Sequence, residues 1–167
     1  MNIRLFAAAY LINENQEILF LQKQNNARFL AGHLVPIGGH MEDDEVKVPL
    51  KACYREIEEE TGLQPEQITN LKFKYIMHRI KENEIRIQYL FFGNVSRNLD
   101  LIESEEGELK WIKPDDIDHL EMTAATKEII KHYISIGQLT DDIYVGTMGS
   151  SDNKPEVNWG ILRDWEI

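Results

Sequence analysis

The stretch "GGHMEDDEVKVPLKACYREIEEETGL", Gly38 to Leu63, holds a local contradiction whose resolution decides the fold. Its second half reads as a helix from about Pro49 to Thr61. Proline suits a first helical turn, and Gly62 stands where a left-handed C-cap belongs. Yet Glu56, Glu58, Glu59 and Glu60 crowd the C-terminal end. A helix carries partial negative charge there, so each carboxylate is unfavourable by about 0.3–1 kcal/mol. Like charges at i,i+3 and i,i+4 add a few tenths more per pair. No lysine or arginine stands four residues after any of them. Something positive is expected to compensate.

Stepping about 100° per residue from Glu56 puts Glu59 near −60°, Glu60 near +40° and Ala52 near −40°. Leu50, Cys53, Tyr54 and Ile57 cluster between about 60° and 160°, the expected buried stripe. Glu58 and Lys51 turn to solvent. Three carboxylates therefore share one narrow face, beside a small residue. Just upstream the paired glycines of "PIGGHMEDDE" let a backbone approach a ligand closely. Hard oxygen donors on one face suit Mg2+ or Mn2+. An acidic, solvated helix face is the plainer alternative.

Outward from this stretch, strands alternate with turns. Residues 3–23 read as a hairpin around "NENQ" at 13–16, followed by the loop "QNNARFLAGH" and a short strand into "VPIGGH". "LKFKYIMHRI" and "IRIQYLFFG" read as strands joined by "KENE", and "ELKWIKPDDI" as a short strand entering a turn. "TAATKEIIKHYISIG" is an amphipathic helix with Thr123 as N-cap and Gly137 after its end. Strands mixed with two principal helices give an α+β fold with a mixed sheet. Residues 138–167 differ, being rich in Gly, Ser and Asn yet carrying "DIYVG", Trp159 and Trp165. Apolar residues of that kind imply docking, either on the preceding domain or at a homodimer surface.

The 167 residues fit one domain, and the formal net charge of −11 argues against a nucleic-acid backbone or an anionic membrane as partner. The single cysteine, Cys53, permits no internal disulfide and reads as a small core residue. A cytoplasmic location is expected. The longest apolar run, "LFAAAYLI", is far too short to span a bilayer, and a strand explains it more simply than a signal peptide.

The quoted stretch resembles the signature of the Nudix hydrolases: Gly, five residues, Glu, seven residues, then Arg-Glu-apolar-x-Glu-Glu-x-Gly-apolar. Gly39 to Glu45 matches the first part, and Arg55, Glu56, Ile57, Glu59, Glu60, Gly62 and Leu63 match the second. Nine residues, Val46 to Tyr54, replace the seven. The insertion precedes Pro49 and is expected to lengthen the loop while leaving the helix face intact. The resemblance implies a Nudix-like α/β/α sandwich over residues 1–137, with 138–167 as an extension.

The resemblance further implies Mg2+-dependent cleavage of a nucleoside diphosphate linked to another moiety, such as a nucleoside triphosphate or a nucleotide sugar. Glu56, Glu59 and Glu60 would be metal ligands, with the Gly39 carbonyl as a fourth. Arg55 would orient the carboxylates, and Glu45 would support the loop or bind a water. The general base is expected outside the helix, at Glu106 or Glu105 in "ESEEGELKWI", with Glu103 and Glu108 weaker candidates. Arg28 and Phe29 are candidates for substrate contacts by phosphate pairing and ring stacking. His33, His40, His78 and Arg79 are further candidates. The alternative function is a catalytically silent Nudix-like domain that binds and senses a nucleotide. A diphosphate isomerase would need a proton donor deep in the pocket, and Cys53 points elsewhere.

Overall fold

The computed structural model describes residues 1–166. Its centre is β1 (Asn2–Ile12), which pairs with β6 (Glu84–Asn94) in parallel along its whole length. On the other edge of β1, two short partners divide the strand. β2 (Ile18–Lys23) pairs antiparallel with its end, and β4 (Ile37–His40) with its middle. β2 in turn carries β3 (Leu34–Val35) and β7 (Gly107–Ile112). β5 (Thr69–Lys81) lies beyond β6 and is antiparallel to it. Parallel and antiparallel ladders in one sheet make it mixed, as expected.

Helices cover both faces of the sheet. α1 (Pro49–Thr61) packs on one and α2 (Ala124–Ser135) on the other. Alternate residues of a strand point to opposite faces, so β1 feeds two cores. Ala7, Ala9 and Leu11 join Ala52, Cys53 and Ile57 of α1, whereas Tyr10 and Ile12 join Phe20, Leu90, Ile129 and Ile130 on the α2 side. This double coverage explains why "AAAYLI" reads as a nearly continuous apolar run rather than an alternating one. The helix bounds follow local chemistry. Pro49 opens α1, Gly62 closes it at φ 74° with its N–H on the Glu58 carbonyl, and the Thr123 hydroxyl accepts from the Thr126 N–H at the start of α2.

The buried stripe of α1 departs from the wheel at one end. Leu50 is 36% exposed, because the first turn emerges from the exposed residues Val46 and Val48 instead of lying over the sheet. The buried set is Ala52, Cys53, Glu56, Ile57, Glu60 and Thr61, so two carboxylates form one margin of the packed face.

Beyond α2, β8 (Ile143–Ser151) pairs in parallel with β5 and turns through Asp152 and Asn153 into β9 (Lys154–Leu162). Both turn residues have positive φ (50° and 59°), the backbone of a two-residue hairpin turn that matches strand twist. The Trp159 ring packs 5.4 Å from Tyr75 and 4.4 Å from His132, ring centroid to centroid. Trp165 is 87% exposed. Ile167, the last residue of the extension, lies outside the described residues.

Candidate active site

Arg55 organises the carboxylates of α1. Its Nε and Nη2 donate to the two oxygens of Glu45 at 2.8 and 2.9 Å, and Nη2 also donates to the His40 carbonyl at 2.9 Å. Nη1 donates to Glu56 at 2.8 Å and to Glu59 at 3.2 Å. Part of the compensating positive charge is therefore on the helix itself. Arg55 precedes Glu59 by four residues, the less favourable sense of an i,i+4 pair.

Glu45 is almost fully buried and supports the loop. One of its oxygens also accepts the Glu42 N–H at 2.8 Å. The Arg55 guanidinium holds its carboxyl down at about 2. The two extra residues before α1 are absorbed in the turn over 43–47, where the Val48 N–H reaches the Glu45 carbonyl at 2.8 Å. The insertion thus leaves Glu45 on Arg55.

The glycine pair sets how closely β4 and α1 approach. A Cβ on Gly39 would lie 2.6 Å from Glu56 Oε1, and one on Gly38 only 2.3 Å from the Ala7 carbonyl oxygen. Small residues face them across the ladder, with Ala7 opposite Gly39 and Ala8 opposite Gly38. The Gly38 N–H donates to Glu60 Oε2 at 2.9 Å. Burial pushes the Glu60 carboxyl up to about 9, and Glu106 and Glu56 add to it by repulsion. Burial also raises Glu56, against the pull of Arg55. Glu59 is exposed at the rim.

These side chains gather hard oxygen donors where the protein alone disfavours negative charge. Among the described residues no three His, Cys, Asp or Glu side chains close around one point as a preformed cage, and Arg55 stands between Glu56 and Glu59. The donor chemistry nevertheless fits a hard divalent cation. The buried, mutually repelling Glu56 and Glu60, with Glu59 and Glu106 beside them, would be relieved by two positive charges.

A cleft of about 560 Å3 runs from these carboxylates across the α2 face of the sheet. Glu56, Glu59, Arg55 and Glu106 border one end; Phe29, Arg79, Arg86 and Gln88 border the other. Of the base candidates, only Glu106 lines the cleft. The Glu105 side chain is exposed outside it, Glu103 accepts the Leu109 N–H, and Glu108 pairs with Lys110. Of the substrate candidates, Phe29, His40 and Arg79 line the cleft, whereas Arg28, His33 and His78 do not. Arg28 is exposed, His33 turns its Nδ1 to the Ala31 carbonyl, and His78 lies one residue out of phase with Arg79, on the α1 side. Sequence reasoning missed Phe6, Arg86 and Gln88. The signal was present in "RIQ", where Arg86 and Gln88 are polar at a spacing of two within an apolar strand.

A model of the NUDIX domain matches residues 2–133. Among solved structures, a MutT mutator protein from Bacillus halodurans is similar at 25% identity with TM-score 0.66, covering 93% of this chain and 97% of that one. A MutT protein from Methanosarcina mazei Go1 follows at 22% identity and TM-score 0.69, covering 80% of this chain and 94% of that one. An Ap4A hydrolase from C. elegans, at 17% identity and TM-score 0.65 (84% of this chain, 100% of that one), shares the fold. A search of curated proteins returned no match. The chain belongs to the Nudix family. It is a hydrolase of pyrophosphate bonds, in a family that acts on small-molecule nucleotides.

Proposed function

We propose that the chain is a divalent-metal-dependent pyrophosphohydrolase, using Mg2+ or Mn2+, that cleaves a nucleoside diphosphate linked to another moiety. The observation that carries this reading is the convergence of buried Glu56 and Glu60 with Glu59 and Glu106 at one end of a nucleotide-sized cleft. Glu56, Glu59 and Glu60, with the Gly39 carbonyl, would hold the metal. When bound, the cation neutralises the diphosphate and acidifies an attacking water. Arg55 positions Glu56 and Glu59, and Glu45 fixes Arg55. Glu106, close enough to Glu60 to raise it, would take the water proton on its carboxylate. Phe29 offers a ring face at the far end of the cleft.

Release of phosphate or nucleoside monophosphate across nucleoside triphosphates, nucleotide sugars and dinucleotides, with Mg2+ and a Glu59→Gln control, tests this. Turnover of one class that vanishes in the control supports the reading; nucleotide binding with no turnover overturns it in favour of a sensing domain. In the same reading, residues 1–137 are the catalytic domain and 138–166 a strap on it. The exposed Ile161, Leu162 and Trp165 favour a homodimer surface as the second role of that strap. An unchanged monomer mass with and without residues 138–167, by size exclusion, removes the dimer.

A further inference from the structure

The far end of the cleft carries a row of like charges that the catalytic reading does not use. Arg4 of β1 stands opposite Arg86 of β6, and Arg86 stands opposite Arg79 of β5. All three lie on the α2 face, in phase with Phe6, Leu90 and Met77. Like charges directly opposite one another on adjacent strands are destabilising. A single carboxylate answers them: Glu84 accepts from Arg86 at 2.8 and 3.0 Å and from Arg4 at 3.3 Å. Arg79 makes no salt bridge and no side-chain hydrogen bond among the described residues. It is half-buried, and burial together with Arg86 lowers its pKa. Lys81 adds a fourth cation, 4.4 Å from the Phe29 ring, and Arg86 lies 5.4 Å from the same ring. In a chain of net charge −11 this is a concentrated positive patch, and Arg79 and Arg86 open into the cleft.

The patch is separated from the carboxylates of α1. Arg86 lies 5.9 Å from the Phe6 ring, Phe6 packs 4.3 Å from His40, and the His40 carbonyl is held by Arg55. Two rings thus stand between the arginines and the catalytic end. The cleft that Arg79 and Arg86 share with Glu56 and Glu59 therefore has room for an anion apart from the one at the carboxylates.

We propose that Arg79 and Arg86 form a second anion site, which takes a phosphoryl group carried by the substrate on the moiety remote from the scissile bond. Guanidinium groups suit this role because their planar donors pair bidentately with phosphate oxygens. The substrate class is then a diphosphate-linked nucleotide with a further phosphate on its sugar, in preference to its unphosphorylated counterpart. This assignment of the substrate rests on the pyrophosphohydrolase reading; the anion site itself does not.

The test is calorimetric binding, without metal, of the 3′,5′- and 2′,5′-bisphosphates of adenosine and guanosine against the 5′-monophosphates. Turnover of NADP+ against NAD+ with Mg2+ is measured in parallel. The bisphosphates are expected to bind about tenfold or more tightly than the monophosphates, as for hydrogen bonds to charged groups. That ratio is expected to fall towards one in Arg79→Gln, to be partly kept in Arg79→Lys, and to shrink with added NaCl. Equal affinities in the wild type, or a ratio unmoved in a folded Arg79→Gln, overturn the site. A bisphosphate preference without turnover of NADP+ or NAD+ keeps the anion site and overturns the substrate assignment. Turnover with equal kcat/KM for NADP+ and NAD+ and no bisphosphate preference overturns the anion site and keeps the hydrolase reading.

Discussion

Arg55 grips Glu45 through two parallel hydrogen bonds of 2.8 and 2.9 Å, and this fork ties the loop before α1 to the helix that carries Glu56, Glu59 and Glu60. Glu45 is buried, so removing the guanidinium leaves a carboxylate in the interior without a counter-charge. Arg55→Gln is expected to lose about 3 kcal/mol of stability, read from urea unfolding. Arg55→Lys restores the charge without the fork and recovers only part of it.

The same pair predicts an acid limit. The Glu45 carboxyl is held at about 2 when folded, against an ordinary value of 4.5. The stabilisation is therefore fully present above about pH 4.5 and is lost as pH falls towards 2. Melting temperatures from pH 6 to pH 2.5 are expected to fall more steeply for the wild type than for Glu45→Gln. Parallel slopes sink the assignment.

Glu60 works in the opposite direction. Its carboxyl is raised from 4.5 to about 9. Between these values the unfolded chain ionises while the folded chain resists, so the metal-free protein loses stability as pH rises through that window. Glu60→Gln keeps an oxygen for the Gly38 N–H and removes this cost. It is expected to melt at a higher temperature than wild type at pH 8 in EDTA, while losing activity with Mg2+. Adding Mg2+ is expected to raise the wild-type melting temperature and leave the variant's nearly unmoved.

Gly39→Ala tests the close approach of β4 to α1. Its methyl group would sit 2.6 Å from Glu56 Oε1, so the carboxylate must move. A loss of kcat of about 100-fold or more is expected, since misplacing a reacting group by an ångström costs that much. Circular dichroism is expected to remain native. Wild-type kcat in a folded Gly39→Ala would show that the approach is unimportant.

Glu106→Gln is expected to lower kcat by about 10²–10⁴-fold, the range for a lost general base. Glu105→Gln leaves kcat where it was, because its side chain does not line the cleft. The reverse ranking, in rates measured across pH 6–9, refutes the choice of base.

The helix bounds, the Thr123 cap and the glutamate face were legible because each rests on local chemistry: a proline, a hydroxyl, a left-handed glycine and a 100° step. The role of Glu45 was legible only through resemblance, since its partner lies ten residues away and becomes adjacent only when the loop folds back. Arg86 was legible only as a polar position in an apolar strand. Its meaning comes from Arg4 and Arg79 on neighbouring strands, and no periodicity within one strand reports what stands across it. The tail's apolar residues pointed to docking but not to a hairpin, whose tight turn rests on Asp152 and Asn153 at positive φ. Gly146 is needed because the Trp159 ring crosses it, 2.8 Å from where a Cβ would be.

That crossing supports a last prediction. Trp159 packs on Tyr75 and His132, so β9 fastens α2 to the sheet from outside the residues matched by the family model. Trp159→Ala removes a half-buried ring and is expected to cost about 2 kcal/mol, below the 3–5 of a fully buried aromatic. Because Trp159 does not line the cleft, kcat and KM are expected to stay at wild-type values below the melting transition. Truncation after Gly137 goes further, exposing the β5 edge from Tyr75 to His78 that β8 otherwise pairs. An open edge invites intermolecular pairing, and the truncated chain is expected to aggregate at concentrations where the full chain is clear, as light scattering would record. A truncated chain that stays monodisperse and melts like the full one would show that β8 and β9 are dispensable to the sheet they extend.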